Sequence, residues 1–202
     1  MSSDIPAHIL VATGNQHKIQ EIAEILAPFA IDLRTPSDVG GLPAVIEDGE
    51  TFADNAILKA ESACRHSGLW ALADDSGICA RALGGAPGVY SARYAGEACD
   101  DVANNRKLAQ ALANHDDRHV EYVCVIALAR PGKAPVTWEG RFAGRFVLDA
   151  VGDGGFGYDP HVFIDELGCT VAQMSAAEKH QRSHRGHALR QCAAWLAQHR
   201  DG

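Results

Sequence analysis

Apolar residues recur along the chain with two periods, and the switches between them mark its elements. His8-Ile9-Leu10-Val11-Ala12 is a continuous run of strand length. It ends at Thr13-Gly14-Asn15, after which Ile19, Ile22, Ala23 and Leu26 return at helical spacing, with Glu21 and Glu24 on the other face. Asn15 suits the N-cap of that helix. A second helix is predicted from Thr51, with Asp54 three residues later completing a capping box. Phe52, Ala56, Ala60 and Ala63 form its apolar stripe, and Glu61 and Arg65 an i,i+4 pair. Leu69-Trp70-Ala71-Leu72 reads as a short strand that stops at Ala73-Asp74-Asp75-Ser76-Gly77. Residues 100–113 read as a third helix with Leu108, Ala109 and Leu112 inward. Residues 119–129 read as a long strand, and 136–150 as further strand bent at Gly140 and Gly144. Glycine-rich loops lie at 84–88 and 152–160. The last segment is helical, with Ala188, Leu189, Cys192, Trp195 and Leu196 on one face. Strands and helices alternate early and strands cluster later. That order predicts an α/β fold: a mixed, elongated central sheet flanked by helices, with two lobes around a cleft.

Composition narrows the class. The 202 residues are 47% hydrophobic and 22% charged, which suits one globular domain spanning 1–202. The net charge of −8 argues against nucleic acid as a partner, because duplex binding needs a clustered basic face. It leaves room for a small anionic ligand held by a few local cations. The six cysteines are scattered without a C-x-x-C pair, so neither a zinc site nor a compact disulfide framework is expected. No basic start leads into a long apolar segment, and no apolar run approaches 18 residues. The expectation is a cytoplasmic protein with no membrane association.

Several clusters carry chemistry. Adjacent side chains on an extended segment point to opposite faces. One of Asp74 and Asp75 can therefore face a cleft, holding a divalent cation or orienting a water, while the other braces the loop. The same residues also suit a plain turn. Strand, Thr13-Gly14-Asn15, helix and Lys18 resemble an anion cradle, although an ordinary helix start has the same form. Asn55 and Lys59 share a helix face, as a solvated flank or as a second phosphate-facing pair. Residues 152–157 match G-x-G-x-x-G but lie late in the chain and precede Tyr158-Asp159-Pro160, not a long helix. Phe156, Tyr158 and Asp159 there suit stacking and edge-reading of a base, or simple packing of a connecting loop. Lys179, Ser183, His184 and Arg185 gather donors near the start of the last helix, for a phosphate or carbonyl oxygen or as a basic surface.

Together these segments resemble the inosine triphosphate pyrophosphatase family, also called Ham1-like or non-canonical purine NTP pyrophosphatases. The matching stretches are Ala12-Thr13-Gly14-Asn15 with Lys18, Thr51-Phe52 with Asn55-Ala56 and Lys59-Ala60, Ala73 to Gly77, Gly84 to Tyr94, Gly154 to Pro160, and Lys179 with Ser183-His184-Arg185. The resemblance implies Mg2+-dependent hydrolysis of ITP, dITP and XTP to monophosphate and pyrophosphate, in a homodimer, with the nucleotide in the cleft. By that analogy Thr13, Gly14, Asn15, Gln16, His17 and Lys18 hold the triphosphate. Asp75 is the catalytic carboxylate and a metal ligand, and Ser76 touches substrate. Phe156, Gly157, Tyr158 and Asp159, with His184 and Arg185, enclose the base, and Lys179 contacts substrate. Glu47 matches the family's metal-binding acid. Many relatives have two adjacent glutamates there, whereas this chain has Ile46-Glu47-Asp48, so the metal role stays open among Glu47, Asp48 and Glu50. Water would attack the α-phosphorus, and donors such as Arg185 and His184 would favour a 6-carbonyl over the amine of adenine. A related pyrophosphatase for other modified nucleotides, and a non-catalytic nucleotide sensor, are the competing readings.

Overall fold

The computed structural model describes residues 5–29 and 31–200, apart from the side chains of His17 and Arg200. Strands β1 (His8–Val11), β2 (Asp32–Arg34), β3 (Trp70–Ala80), β4 (His119–Arg130), β5 (Lys133–Phe146), β6 (Val162–Ile164) and β7 (Cys169–Thr170) form one sheet in the order β2-β1-β3-β4-β5-β6-β7. It is mixed: β1 is parallel to β2 and β3, while β6 is antiparallel to β5 and β7. Helices α1 (Gln16–Leu26), α2 (Phe52–Ser67), α3 (Asp101–Leu112), α4 (Ala176–Arg182) and α5 (His184–Arg200) complete it. No described helix is long and apolar enough to cross a membrane.

The helix starts follow their sequence signals. Thr51 Oγ1 accepts from the Asp54 backbone, and the Asp54 carboxylate accepts from the Thr51 backbone, closing the predicted capping box. Asn15 Oδ1 accepts from the Lys18 backbone at 3.3 Å. Asp100, not a helical residue, caps α3. α4 is an element the sequence pattern does not predict; Ser175 and Glu178 cap it reciprocally, and it carries Lys179 just before the last helix.

Two compact units divide the chain. The first comprises residues 1–75, 124–140 and 185–202, the second 76–123 and 141–184. In the first, Ile9, Val11, Ile22, Leu26, Leu72, Ile126, Leu189 and Leu196 form one apolar cluster, and the alanines of α2 pack with Leu10, Ala71 and Ala73 in another. In the second, Ile78, Leu108, Leu112, Val120, Phe146 and Val162 make the core. Cys64, Cys124 and Cys192 are buried, and Cys99 is exposed.

β3 corrects the sequence reading. The strand does not stop before Asp74 but runs through Asp74-Asp75-Ser76-Gly77 to Ala80, so the carboxylates sit mid-strand and not in a turn. Ile78 and Ala80 continue the buried pattern beyond them. β5, conversely, ends at Phe146, short of the predicted 150.

Gly77 makes this continuation workable. A Cβ there would lie 2.4 Å from Ser91 Oγ and 2.6 Å from the Gly88 carbonyl oxygen. Ser91 Oγ in turn accepts from the Ile78 backbone at 2.9 Å and donates to Gly88 O at 2.6 Å. Gly77→Ala is therefore expected to destabilise the protein by about 1–3 kcal/mol, as overpacking of a fixed backbone does. Urea unfolding measures this, and an unchanged midpoint would contradict it.

Candidate active site

In the first unit the pleat of β3 sends Asp74 and Asp75 to different partners. Asp75 Oδ1 and Glu47 Oε2 both accept from Lys59 Nζ at 2.8 Å. Lys59 reaches them from the third turn of α2, one turn after Asn55. Asn55 is buried; its Nδ2 lies 3.4 Å from Asp75 Oδ2, and its Oδ1 accepts from the Gly49 backbone at 2.9 Å. That bond fixes the loop bearing Glu47 against the helix. Gly49 is needed for the approach, since a Cβ would stand 2.7 Å from Asn55 Oδ1. Asn55 and Lys59 are thus no solvated flank. Of the three candidate acids, Glu47 joins this cluster, whereas Asp48 and Glu50 are exposed.

Burial pushes the Asp75 carboxyl above its usual range; the Glu47 charge adds to this and the Lys59 ammonium opposes it. Burial also acts upward on Glu47, but the Lys59 ammonium outweighs it and leaves Glu47 lowered. Lys59 is raised despite its burial, because both carboxylates hold its proton. A cavity of about 300 Å³ is lined by Thr13, Gly14, Glu47 and Lys59 on its polar side and by Leu42 and Val45 on its apolar side. Asn15 and Gln16 are exposed nearby in sequence, and the side chain of His17 lies outside the described residues.

Asp74 serves a different network. Its Oδ2 accepts from Lys18 Nζ at 2.9 Å and from Arg185 Nε and Nη2 at 3.3 Å each. Arg185 Nη1 donates to Glu21 at 2.6 Å. Burial would raise the Asp74 carboxyl, but the cations of Lys18 and Arg185 outweigh it and hold it far below the usual carboxylate range. One expectation changes here: Glu21, placed on the face away from the apolar stripe, is buried, at 7% exposure. Arg185 is 2% exposed, with its guanidinium between two carboxylates of the first unit.

In the second unit Asp159 is the organising group. Its Oδ2 accepts from the Phe156 backbone at 2.9 Å and from Lys179 Nζ at 2.5 Å, and its Oδ1 from the Tyr122 hydroxyl at 3.0 Å. The Lys179 ammonium also stands 4.4 Å from the centre of the Phe156 ring. Tyr122 stacks on His184 with ring centres 4.9 Å apart and planes 12° from parallel. Burial, reinforced by Asp159, holds the Tyr122 hydroxyl protonated well beyond the ordinary phenol range. Gly157 takes φ +61, donates its N–H to Asp101 and accepts from Asn105 Nδ2, each at 2.9 Å. The Tyr158 hydroxyl donates to Ser91 O at 2.8 Å, so that ring is an internal anchor. Ser76 is half-buried at the start of this unit.

The structure therefore gathers the sequence-predicted residues into two sets. Glu47 and Asp75 form one with Lys59, and Phe156, Asp159, Lys179 and His184 form the other with Tyr122. The model of the Ham1 family matches residues 9–195 of the chain. The chain belongs to the Ham1 family. Among its similar relatives is a dITP/XTP pyrophosphatase of Nitrosomonas europaea, 48% identical over 94% of each chain. A dITP/XTP pyrophosphatase of Thioalkalivibrio sulfidiphilus is 49% identical, over 90% of this chain and 94% of its own. A HAM1 protein from Coxiella burnetii superposes with a TM-score of 0.89 at 38% identity, covering 95% of this chain and 98% of its own. The mixed sheet with flanking helices is the Ham1 fold.

Two side chains of these clusters in this Ham1 protein have partners that sequence alone does not join to them. Lys59 carried a signal, its i,i+4 spacing from Asn55, but nothing in sequence joined it to Glu47 and Asp75. Tyr122 carried none, because a tyrosine inside a β-run reads as core. The larger cavity of the second unit, about 580 Å³ and lined by Arg81, Asp117, Arg145 and Asp165, contains no residue of either set.

Proposed function

We propose that this chain hydrolyses non-canonical purine nucleoside triphosphates, ITP, dITP and XTP, to the monophosphate and pyrophosphate. The observation that carries this reading is the convergence of Glu47 and Asp75 oxygens on a single cationic nitrogen, 2.8 Å from each, in a Ham1-family chain. Two carboxylates converging on one cation fit Mg2+, which is typically held by one or two acids together with substrate phosphates. Bound there, Mg2+ would neutralise phosphate charge.

Asp75 accepts the proton of the attacking water. The water oxygen bonds to the α-phosphorus as the bond to the bridging oxygen breaks, and pyrophosphate departs. Lys18, the N-terminus of α1 and Lys59 stabilise the phosphate chain. Phe156 stacks the purine, and Lys179 and His184 supply donors for a 6-carbonyl. Asp74, Arg185 and Glu21 set the position of Lys18, so Arg185 acts here from behind the phosphate site. The chain works as one domain, as a homodimer in the cytoplasm.

Selectivity follows from buried donors. An amine at the 6-position leaves them unpaired, at about 1–3 kcal/mol for each. The kcat/KM for ITP and XTP should therefore exceed that for ATP by roughly a hundredfold or more. A panel of triphosphates, assayed for pyrophosphate with Mg2+ and with excess chelator, tests this. Equal kcat/KM for ATP, or full activity in chelator, would contradict the reading.

A further inference from the structure

We propose that the Lys59 ammonium and a divalent metal ion are alternative occupants of the Glu47–Asp75 carboxylate pair, so that metal binding releases Lys59 to the nucleotide phosphates. The proposal rests on the metal assignment above and adds an exchange that couples the two ligands.

Lys59 Nζ lies 2.8 Å from one oxygen of each acid. These distances are those of charge-assisted hydrogen bonds, and they place a full positive charge where the two acids converge. The ammonium is well shielded, with its side chain 16% exposed, and so is Asp75 at 11%. Solvent therefore screens the cluster only in part. Two acids and one ammonium leave a single net negative charge. A divalent ion added beside the ammonium would give the cluster a net positive charge in a poorly screened site. The same ion replacing the ammonium makes it neutral. Mg2+ also holds its oxygens at about 2.0–2.1 Å, closer than any ammonium, so the two cations compete for the same lone pairs.

The displaced side chain has somewhere to go. Lys59 lines the 300 Å³ cavity together with Thr13 and Gly14, the start of the phosphate cradle. Its backbone is held in α2, whose neighbouring residues Asn55, Ala56 and Ala60 are buried, and its four-carbon chain carries the ammonium on rotatable bonds. A phosphate chain entering the cavity offers the ammonium new oxygens at the moment the metal takes its old ones. Metal and nucleotide should then each tighten the other's binding by the same factor, as linkage requires. Lys59 is thus a device that orders assembly of the site, beyond its contact with phosphate.

The test measures Mn2+ binding by electron paramagnetic resonance at pH 8, in the full-length protein without nucleotide, and again with a non-hydrolysable α,β-methylene analogue of ITP. A charge at this range alters the affinity of a neighbouring site for a cation by one to three powers of ten. Lys59→Met should therefore bind Mn2+ alone about tenfold or more tightly than wild type. Lys59→Arg, which keeps the charge, should not. The analogue should tighten Mn2+ in wild type, and less so in Lys59→Met. Lys59→Gln serves as a second neutral variant, and circular dichroism verifies the fold of each. Unchanged or weaker Mn2+ binding in both folded neutral variants overturns the exchange. The single variant Glu47→Gln separates the two levels. If Glu47→Gln weakens Mn2+ while loss of Lys59 has no effect, the exchange fails and the metal assignment survives. If Glu47→Gln has no effect either, the metal assignment itself fails.

Discussion

Replacing Asp75 by Asn is expected to lower kcat for ITP by about a thousandfold, within the 10²–10⁴ that a general base contributes. The amide keeps the size and planarity of the carboxylate but cannot take a proton from water. Asp75 makes its bonds to Lys59 and Asn55 through both oxygens. In the variant Lys59 retains Glu47 at 2.8 Å, so the ammonium is not left unpaired. Asp75 also lies in the middle of β3, whose buried neighbours Ala73 and Ile78 are untouched. The fold should therefore survive, with an unchanged circular dichroism spectrum. Steady-state pyrophosphate release supplies the rate. A folded variant retaining more than about a tenth of wild-type kcat would remove Asp75 from the chemistry.

The largest effect on stability is expected from Arg185→Leu. Arg185 is among the largest fully buried side chains in the protein and links α5 to Asp74 on β3 and Glu21 on α1. Its loss leaves two buried carboxylates without their shared guanidinium, although Lys18 still pairs with Asp74. Breaking a buried ion pair from one side costs about 3–5 kcal/mol, which for a chain of this size lowers Tm by roughly 10 °C. The effect depends on pH in a definite direction. Asp74 is held below its unfolded value by Lys18 and Arg185, against the opposing effect of burial. Its stabilising contribution is thus present above the unfolded carboxylate value, near 4, and fades as the pH falls toward the folded one. Without Arg185 that contribution is smaller. The Tm gap between wild type and variant should therefore narrow as the pH drops from 7 toward 3. Calorimetry across that range measures it. A gap that is small at pH 7, or that widens in acid, would show that the network is not stabilised by its charges.

The contrast between these two aspartates shows where sequence is informative. Alternation along an extended segment anticipated that neighbours would face different environments, and Asp74 and Asp75 do. The helix caps at Thr51 and Asn15 were equally legible, because capping is local chemistry between residues three apart. The end of β3 was not. Asp-Asp-Ser-Gly looks like a turn until Ser91, fourteen residues beyond Gly77, is found against it. Nothing local announced the ion pairs of Arg185. Its partners Glu21 and Asp74 are more than a hundred residues distant, and only the folded chain pairs them. The partners of Lys59, and any role for Tyr122, were hidden for the same reason: each is defined by groups on other elements. α4, seven residues long, was too short for periodicity to separate it from the helix that follows.

The central claim is that this protein cleaves a purine triphosphate between the α- and β-phosphates by attack of water on the α-phosphorus. Turnover of ITP in water enriched in oxygen-18, with both products analysed by mass spectrometry, tests it most directly. The account predicts one labelled oxygen in the inosine monophosphate and none in the pyrophosphate. Label in the pyrophosphate, or orthophosphate as the released product, would contradict it.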